Sequence, residues 1–188
     1  MDKKEIYGEL KDKLDNKRYE HTLGVAHTAA CIAMSQGIDT WKPFMAGLLH
    51  DCAKWMSDKE YLAYCKKHDI NVSDVEKANP PLLHAKVGAH MAKETYGIND
   101  EEILSAIRWH TTGHPGMTLM EEIIFISDYI EPNRTHDPEL SVIRREAFDD
   151  IHKATYHIYS NTMKHLKSSA KTLDPMTEEA YRYYERYR

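Results

Sequence analysis

Ala46-Gly47-Leu48-Leu49-His50-Asp51-Cys52-Ala53-Lys54 places an imidazole and a carboxylate side by side at the end of an apolar, helix-prone run. Such a run belongs in the interior of a helical protein, where an unpaired charge is very costly. Successive helical residues point about 100° apart, because one turn takes about 3.6 residues. From a helix, His50 and Asp51 therefore cannot stack on each other, yet both can reach a cation lying against it. A buried hydrogen-bonded couple explains the pair equally well, so a metal reading requires ligands elsewhere. Lys54, three residues past Asp51, falls on the same side and is suited to hold either Asp51 or a substrate phosphate.

Outward from this stretch, further histidines sit beside apolar sequence. A helix from about Lys17 to Ser35 carries His21, Val25, Thr28 and Ile32 on one face, which turns His21 inward. After the Asn79-Pro80-Pro81 break a helix from Leu82 to Tyr96 opens with His84. Another, capped by Asp100, runs through Glu102, Ile103 and Ile107 to His110. The loop Thr111-Thr112-Gly113-His114-Pro115-Gly116-Met117 then offers hydroxyls and an imidazole, as substrate-holding loops often do. Ile123-Ile124-Phe125-Ile126 is apolar on every side, so the helix from Leu119 to Ile130 is the central one. Asp128 lies inside it and needs a partner or a metal. Glu131-Pro132-Asn133-Arg134 stops that helix and leaves Arg134 placed to grip a phosphate.

The remaining segments read as a covering helix Asp2–Leu14, a helix around Tyr61, Leu62 and Cys65, and a shorter one from Val72 to Ala78. One long amphipathic helix runs from Glu139 to about Lys167, with Val142, Ala147, Ile151, Ala154, Ile158 and Met163 facing the core. A last helix follows Asp174-Pro175, and its Tyr- and Arg-rich end is suited to dock on the chain or on a second copy in a homodimer. His27 and His90 read as structural, and His152, His157 and His165 as solvated. No strand-like alternation or internal repeat is present, and the fold class is all-α.

The 188 residues, 41% hydrophobic and 29% charged, suit a single domain with a core near 17–135 and C-terminal helices 139–188 packed on it. A net charge of −5 disfavours a nonspecific nucleic-acid binder. No apolar run reaches the roughly 20 residues that span a bilayer, and the start lacks a signal peptide's apolar core, so a cytoplasmic location is expected. Cys31, Cys52 and Cys65 read as reduced core residues.

Of twelve histidines, four share a pattern with two aspartates. His21, His50, Asp51, His84, His110 and Asp128 come from five separate helices, each beside apolar sequence. Imidazole and carboxylate donors suit iron, manganese, nickel, cobalt or zinc. Six donors are too many for one catalytic ion with an open position, which implies two metals. Asp51 is expected to bridge them, with His21, His50 and Asp128 on one side and His84 and His110 on the other.

The order His, His-Asp, Asp on an all-helical chain resembles the HD-domain metal-dependent phosphohydrolases. Longer matches are Arg18-Tyr19-Glu20-His21-Thr22-Leu23-Gly24-Val25, Gly47-Leu48-Leu49-His50-Asp51, Leu82-Leu83-His84-Ala85, Ile107-Arg108-Trp109-His110-Thr111-Thr112-Gly113 and Asp128-Tyr129-Ile130-Glu131-Pro132-Asn133-Arg134. These look like the YqeK-type bacterial family of symmetrical diadenosine tetraphosphate hydrolases, and the likeness covers nearly the whole chain. It departs at His114, often Arg in that pattern, and at Ser127, usually Ala.

The resemblance implies an HD-type helical bundle with a buried di-iron centre that splits diadenosine tetraphosphate into two ADP. A metal-bound hydroxide would attack in line. Asp51, Lys54 and His114 would be catalytic, and Arg18, Lys54, Thr111, Thr112, His114 and Arg134 would contact substrate. Three alternatives share the metal ligands or the fold: hydrolysis of another nucleotide (a deoxynucleotide, alarmone or cyclic dinucleotide); a di-iron oxygenase; and a metal-stapled binding module without catalysis.

Overall fold

The computed structural model describes residues 2–135, 137–169 and 174–188, with side chains omitted at 167–169. Residues 170–173, within the expected C-terminal unit, lie outside them. Among the described residues there is no strand. The helices are α1 (Lys3–Lys13), α2 (Asn16–Ser35), α3 (Trp41–Leu49), α4 (Asp58–Lys67), α5 (Asp74–Ala78), α6 (His84–Glu94), α7 (Glu101–Trp109), α8 (Leu119–Ile130), α9 (Leu140–Asp149), α10 (Ile151–Ser169) and α11 (Pro175–Tyr184).

Local chemistry sets many of these boundaries. Asp2, Ser57, Ser73 and Thr118 each close a capping box with the glutamate three residues on. Asp100 accepts from the amides of Glu102 and Ile103 at the start of α7, as expected from the sequence. Gly37, at φ 69°, lets the end of α2 curl back so that the Ile38 amide reaches the Ala33 carbonyl.

α8 is the hub: Met120 to Ser127 are all buried, and α2, α3, α7 and α10 pack around it. Each fully buried aliphatic side chain here, such as Ile123 or Leu48, contributes about 1.5–3 kcal/mol. α2 and α3 approach closely at Gly47, where a Cβ would lie 2.8 Å from the Ala26 Cα. That contact brings the end of α3 beside His21.

Four expectations are corrected. α3 stops at Leu49, and His50 and Asp51 occupy the cap and the turn beyond it rather than the helix. His50 Nδ1 donates to the Gly47 carbonyl at 2.7 Å, the acceptor that a continuing helix would need. The segment 139–167 is two helices broken at Asp150 (φ −146°, ψ 96°), whose carboxylate accepts from the Lys153 amide and starts α10. A 3-10 turn, Pro80–Leu83, precedes α6, which ends at Glu94. Cys31 is exposed, whereas Cys52 and Cys65 are buried.

The tyrosine-rich tail docks on its own chain. Tyr184 is 1% exposed and stacks on Tyr159, which stacks on Phe125 of α8. His152 and His157, expected to be solvated, pair with Glu122 and Glu146 at 2.9 and 2.8 Å.

Candidate metal centre

His50, His84 and His110 are held by one device. Each sits at a helix end or start and donates Nδ1–H to the carbonyl three residues earlier: Gly47 at 2.7 Å, Pro81 at 2.6 Å and Ile107 at 2.7 Å. That bond leaves the Nε2 lone pair facing the interior. His21 lies within α2, where neighbouring carbonyls are committed to the helix, and its Nδ1 instead meets Glu131 Oε1 at 3.1 Å.

The six residues singled out from the sequence converge on Asp51, which is almost fully buried. Its Oδ2 lies 3.5 Å from His50 Nε2 and 4.0 Å from His21 Nε2. Its Oδ1 lies 3.5 Å from His84 Nε2 and 3.6 Å from His110 Nε2. Asp128 Oδ1 completes the first side, 3.0 Å from His21 Nε2 and 3.9 Å from His50 Nε2. The trios His21/His50/Asp51, His50/His110/Asp128 and Asp51/His84/His110 each have donor atoms within 4.8 Å of one another.

The donors fit cations. His50 Nε2 and Asp51 Oδ1 are buried with no hydrogen-bond partner, a costly condition that an ion between them relieves. Burial opposes ionisation of Asp51, yet His50, His110 and His84 around it hold its pKa well below the ordinary carboxylate range. At Asp128 burial is likewise outweighed, chiefly by His21, and its pKa is lowered. Burial depresses the His84 pKa to about 3, so its imidazole is neutral and able to act as a ligand at pH 7.

Cationic side chains close the open sides. Arg18 Nη1 donates to Asp51 Oδ2 and Arg134 Nη2 to Asp128 Oδ1, both at 2.7 Å, and Lys54 Nζ is 3.8 Å from Asp51 Oδ1. A cavity of about 300 Å³ lined by Lys17, Arg18, His21, Asn133 and Arg134 opens on the His21 side. One of about 150 Å³ includes His110, Thr111, Asp128 and Arg134, and another of about 200 Å³ carries Thr111 and Thr112 toward Trp109 and Arg108. The Thr111 hydroxyl is 3.0 Å from His84 Nε2 and 3.1 Å from His110 Nε2.

Thr112 and His114 belong to the Thr111–Met117 loop and stand outside the cluster's hydrogen bonds. The Thr112 hydroxyl bonds the Gly113 carbonyl. His114 pairs with Glu121 at 3.1 Å and sets its ring against Trp109. The loop itself is braced from behind by α10 and α11. Tyr159 donates to the Thr112 carbonyl, and Gly113, at φ 59°, leaves room for that hydroxyl.

Residues 18–133 match the HD domain family, a span that contains every member of the cluster. The chain belongs to the HD domain family. Within it, this HD protein is 37% identical to the symmetrical bis(5'-nucleosyl)-tetraphosphatase of Bacillus subtilis over 96% of each chain. The protein of the same name from Halalkalibacterium halodurans is 38% identical, over 92% of this chain and 91% of its own. A crystal structure from Clostridium acetobutylicum, described as a predicted HD superfamily hydrolase involved in NAD metabolism, has 37% identity. It aligns with a TM-score of 0.95 over 100% of this chain and 99% of that one. This HD protein thus belongs with the symmetrical bis(5'-nucleosyl)-tetraphosphatases. Among its described residues, no helix is long and apolar enough to cross a membrane.

The sequence reading places Glu131 in a helix stop and in one of the family matches and assigns it no role at the site. It is 1% exposed and reaches His21, 110 residues away in the chain. Nothing local marks that contact; it exists because the turn after α8 folds back onto α2.

Proposed function

We propose that this HD protein hydrolyses diadenosine tetraphosphate symmetrically to two ADP. The observation that carries the reading is Asp51 lying between two sets of imidazoles, with Arg18, Lys54 and Arg134 on the open sides. Kinship over nearly the whole chain with proteins named for that reaction supports it.

Two transition-metal ions, iron first among manganese, cobalt, nickel and zinc, would be held by His21, His50, Asp51, His84, His110 and Asp128 and would lower the pKa of bound water toward about 7. Asp51 keeps the two halves of the cluster in fixed register, one oxygen to each. Arg18, Lys54 and Arg134 bind the polyphosphate and offset charge developing on it. Attack by water in line at an inner phosphorus breaks the central P–O–P bridge, and ADP leaves. Thr111 orients the phosphate beside His84 and His110. The cavities on the two sides take one nucleoside each, with Thr112 and His114 shaping the wall around Trp109. All the helices serve one domain, in which α10 and α11 fix the Thr111–Met117 loop.

The test is chromatographic separation of products from diadenosine tetraphosphate incubated with the manganese- or iron-loaded protein. ADP as sole product is expected. AMP with ATP would mean the chain is cut off-centre, and no turnover by protein with its ions bound would overturn the substrate assignment.

A further inference from the structure

Three of the four histidines in the cluster lean on neutral backbone carbonyls, and His21 alone leans on a carboxylate. Glu131 is held for this on every side. Its Oε2 accepts from the Asn133 amide at 2.8 Å, its own amide donates to the Ser127 carbonyl, and Arg144 donates to its carbonyl at 3.0 Å. Gly24, one turn along α2 from His21, leaves the space: a Cβ there would lie 2.5 Å from Glu131 Oε2. Arg134 Nε stands 3.9 Å from Oε1, too far to compete for the atom that His21 uses.

A charged acceptor makes a hydrogen bond roughly twice as strong as a neutral one. Behind a ligating imidazole it fixes the tautomer and raises the basicity of the opposite nitrogen. The two sides of the cluster differ in the same sense in their own donors. The His21 and His50 side has Asp51 Oδ2 and the Asp128 carboxylate, 3.0 Å from His21 Nε2, whereas the His84 and His110 side pairs directly with Asp51 Oδ1 and has Asp128 only within 4.8 Å of His110.

We propose that Glu131 is a positioning residue that acts through His21 to make the His21/His50/Asp128 side the tighter of two unequal cation sites. The other side binds its ion more weakly and exchanges it more readily. This rests on the two-ion reading above, but not on the identity of the substrate.

The experiment is a manganese(II) titration of metal-free full-length protein, with free ion followed by electron paramagnetic resonance. Wild type is expected to bind two ions with separated affinities. Glu131→Gln, which keeps the size of the side chain but removes its charge and turns one of its two accepting oxygens into an NH2 donor, is expected to weaken the tight event by about 10- to 100-fold and leave the weak one within about twofold. Gly24→Ala, which removes no donor but pushes a methyl onto Oε2, is expected to weaken the same event by less. It carries the test if Glu131→Gln does not fold. Two ions bound with unchanged affinity in the variants, or with both events weakened alike, would overturn the proposal and leave the two-ion reading standing. One ion or none in wild type would overturn both. Two unequal sites without hydrolysis of diadenosine tetraphosphate would remove the substrate and keep Glu131.

Discussion

At the scale of the residue, the cluster depends on what each imidazole does with its other nitrogen. A histidine at a helix end finds a carbonyl three residues back, so His50, His84 and His110 need no remote partner. This also explains why those three were legible from sequence: each ends or begins an apolar helical segment, and no distant contact is needed to orient it. Arg18 and Arg134 now bond Asp51 and Asp128 and also line the cavity on that side. Replacing either with Ala is expected to raise KM for diadenosine tetraphosphate at least about tenfold, the worth of one charged hydrogen bond, with metal content unchanged. Steady-state kinetics with metal analysis checks this; unchanged KM with lost metal would make them structural partners of the ligands.

At the scale of the element, α8 carries both Asp128 of the cluster and Glu122, which is fully buried beneath α10 and α11. Burial raises the Glu122 pKa, although His152 pulls the other way. The folded protein therefore holds that proton more tightly than the unfolded chain. The stability so gained is full below the unfolded pKa of about 4.3 and is lost as pH rises through the folded value. Glu122→Gln, which keeps the shape and removes the charge, is expected to raise the melting temperature of metal-free protein by a few degrees at pH 8. The two proteins should melt together near pH 4, as scanning calorimetry will show; a gain of equal size at both pH values would remove the charge as its cause. Period and capping signals gave most helices, because Asp100, Gly37 and the Pro80-Pro81 break act locally. The breaks after Leu49 and at Asp150 escaped because side chains, the His50 imidazole and the Asp150 carboxylate, compete for backbone partners inside a continuous amphipathic pattern.

At the scale of the whole molecule, the HD match ends at residue 133, yet the helices beyond it reach back to the site. Tyr159 and Tyr184 tie α10 and α11 to α8, and Tyr159 also supports the Thr112 carbonyl. The chain thereby joins a cluster built from α2, α3, α6, α7 and α8 to a loop braced by the C-terminal helices. Motif order made the cluster visible in the sequence, whereas the bracing arises from packing between segments about 47 residues apart and has no local signature. The most direct test of the account is metal-free wild type and Asp51→Asn, each titrated with manganese(II) and then assayed on diadenosine tetraphosphate. Because one carboxylate serves both sides, Asp51→Asn is expected to weaken both ion-binding events and to lower turnover by at least about a hundredfold. Two ions bound as in wild type, with turnover intact, would contradict it.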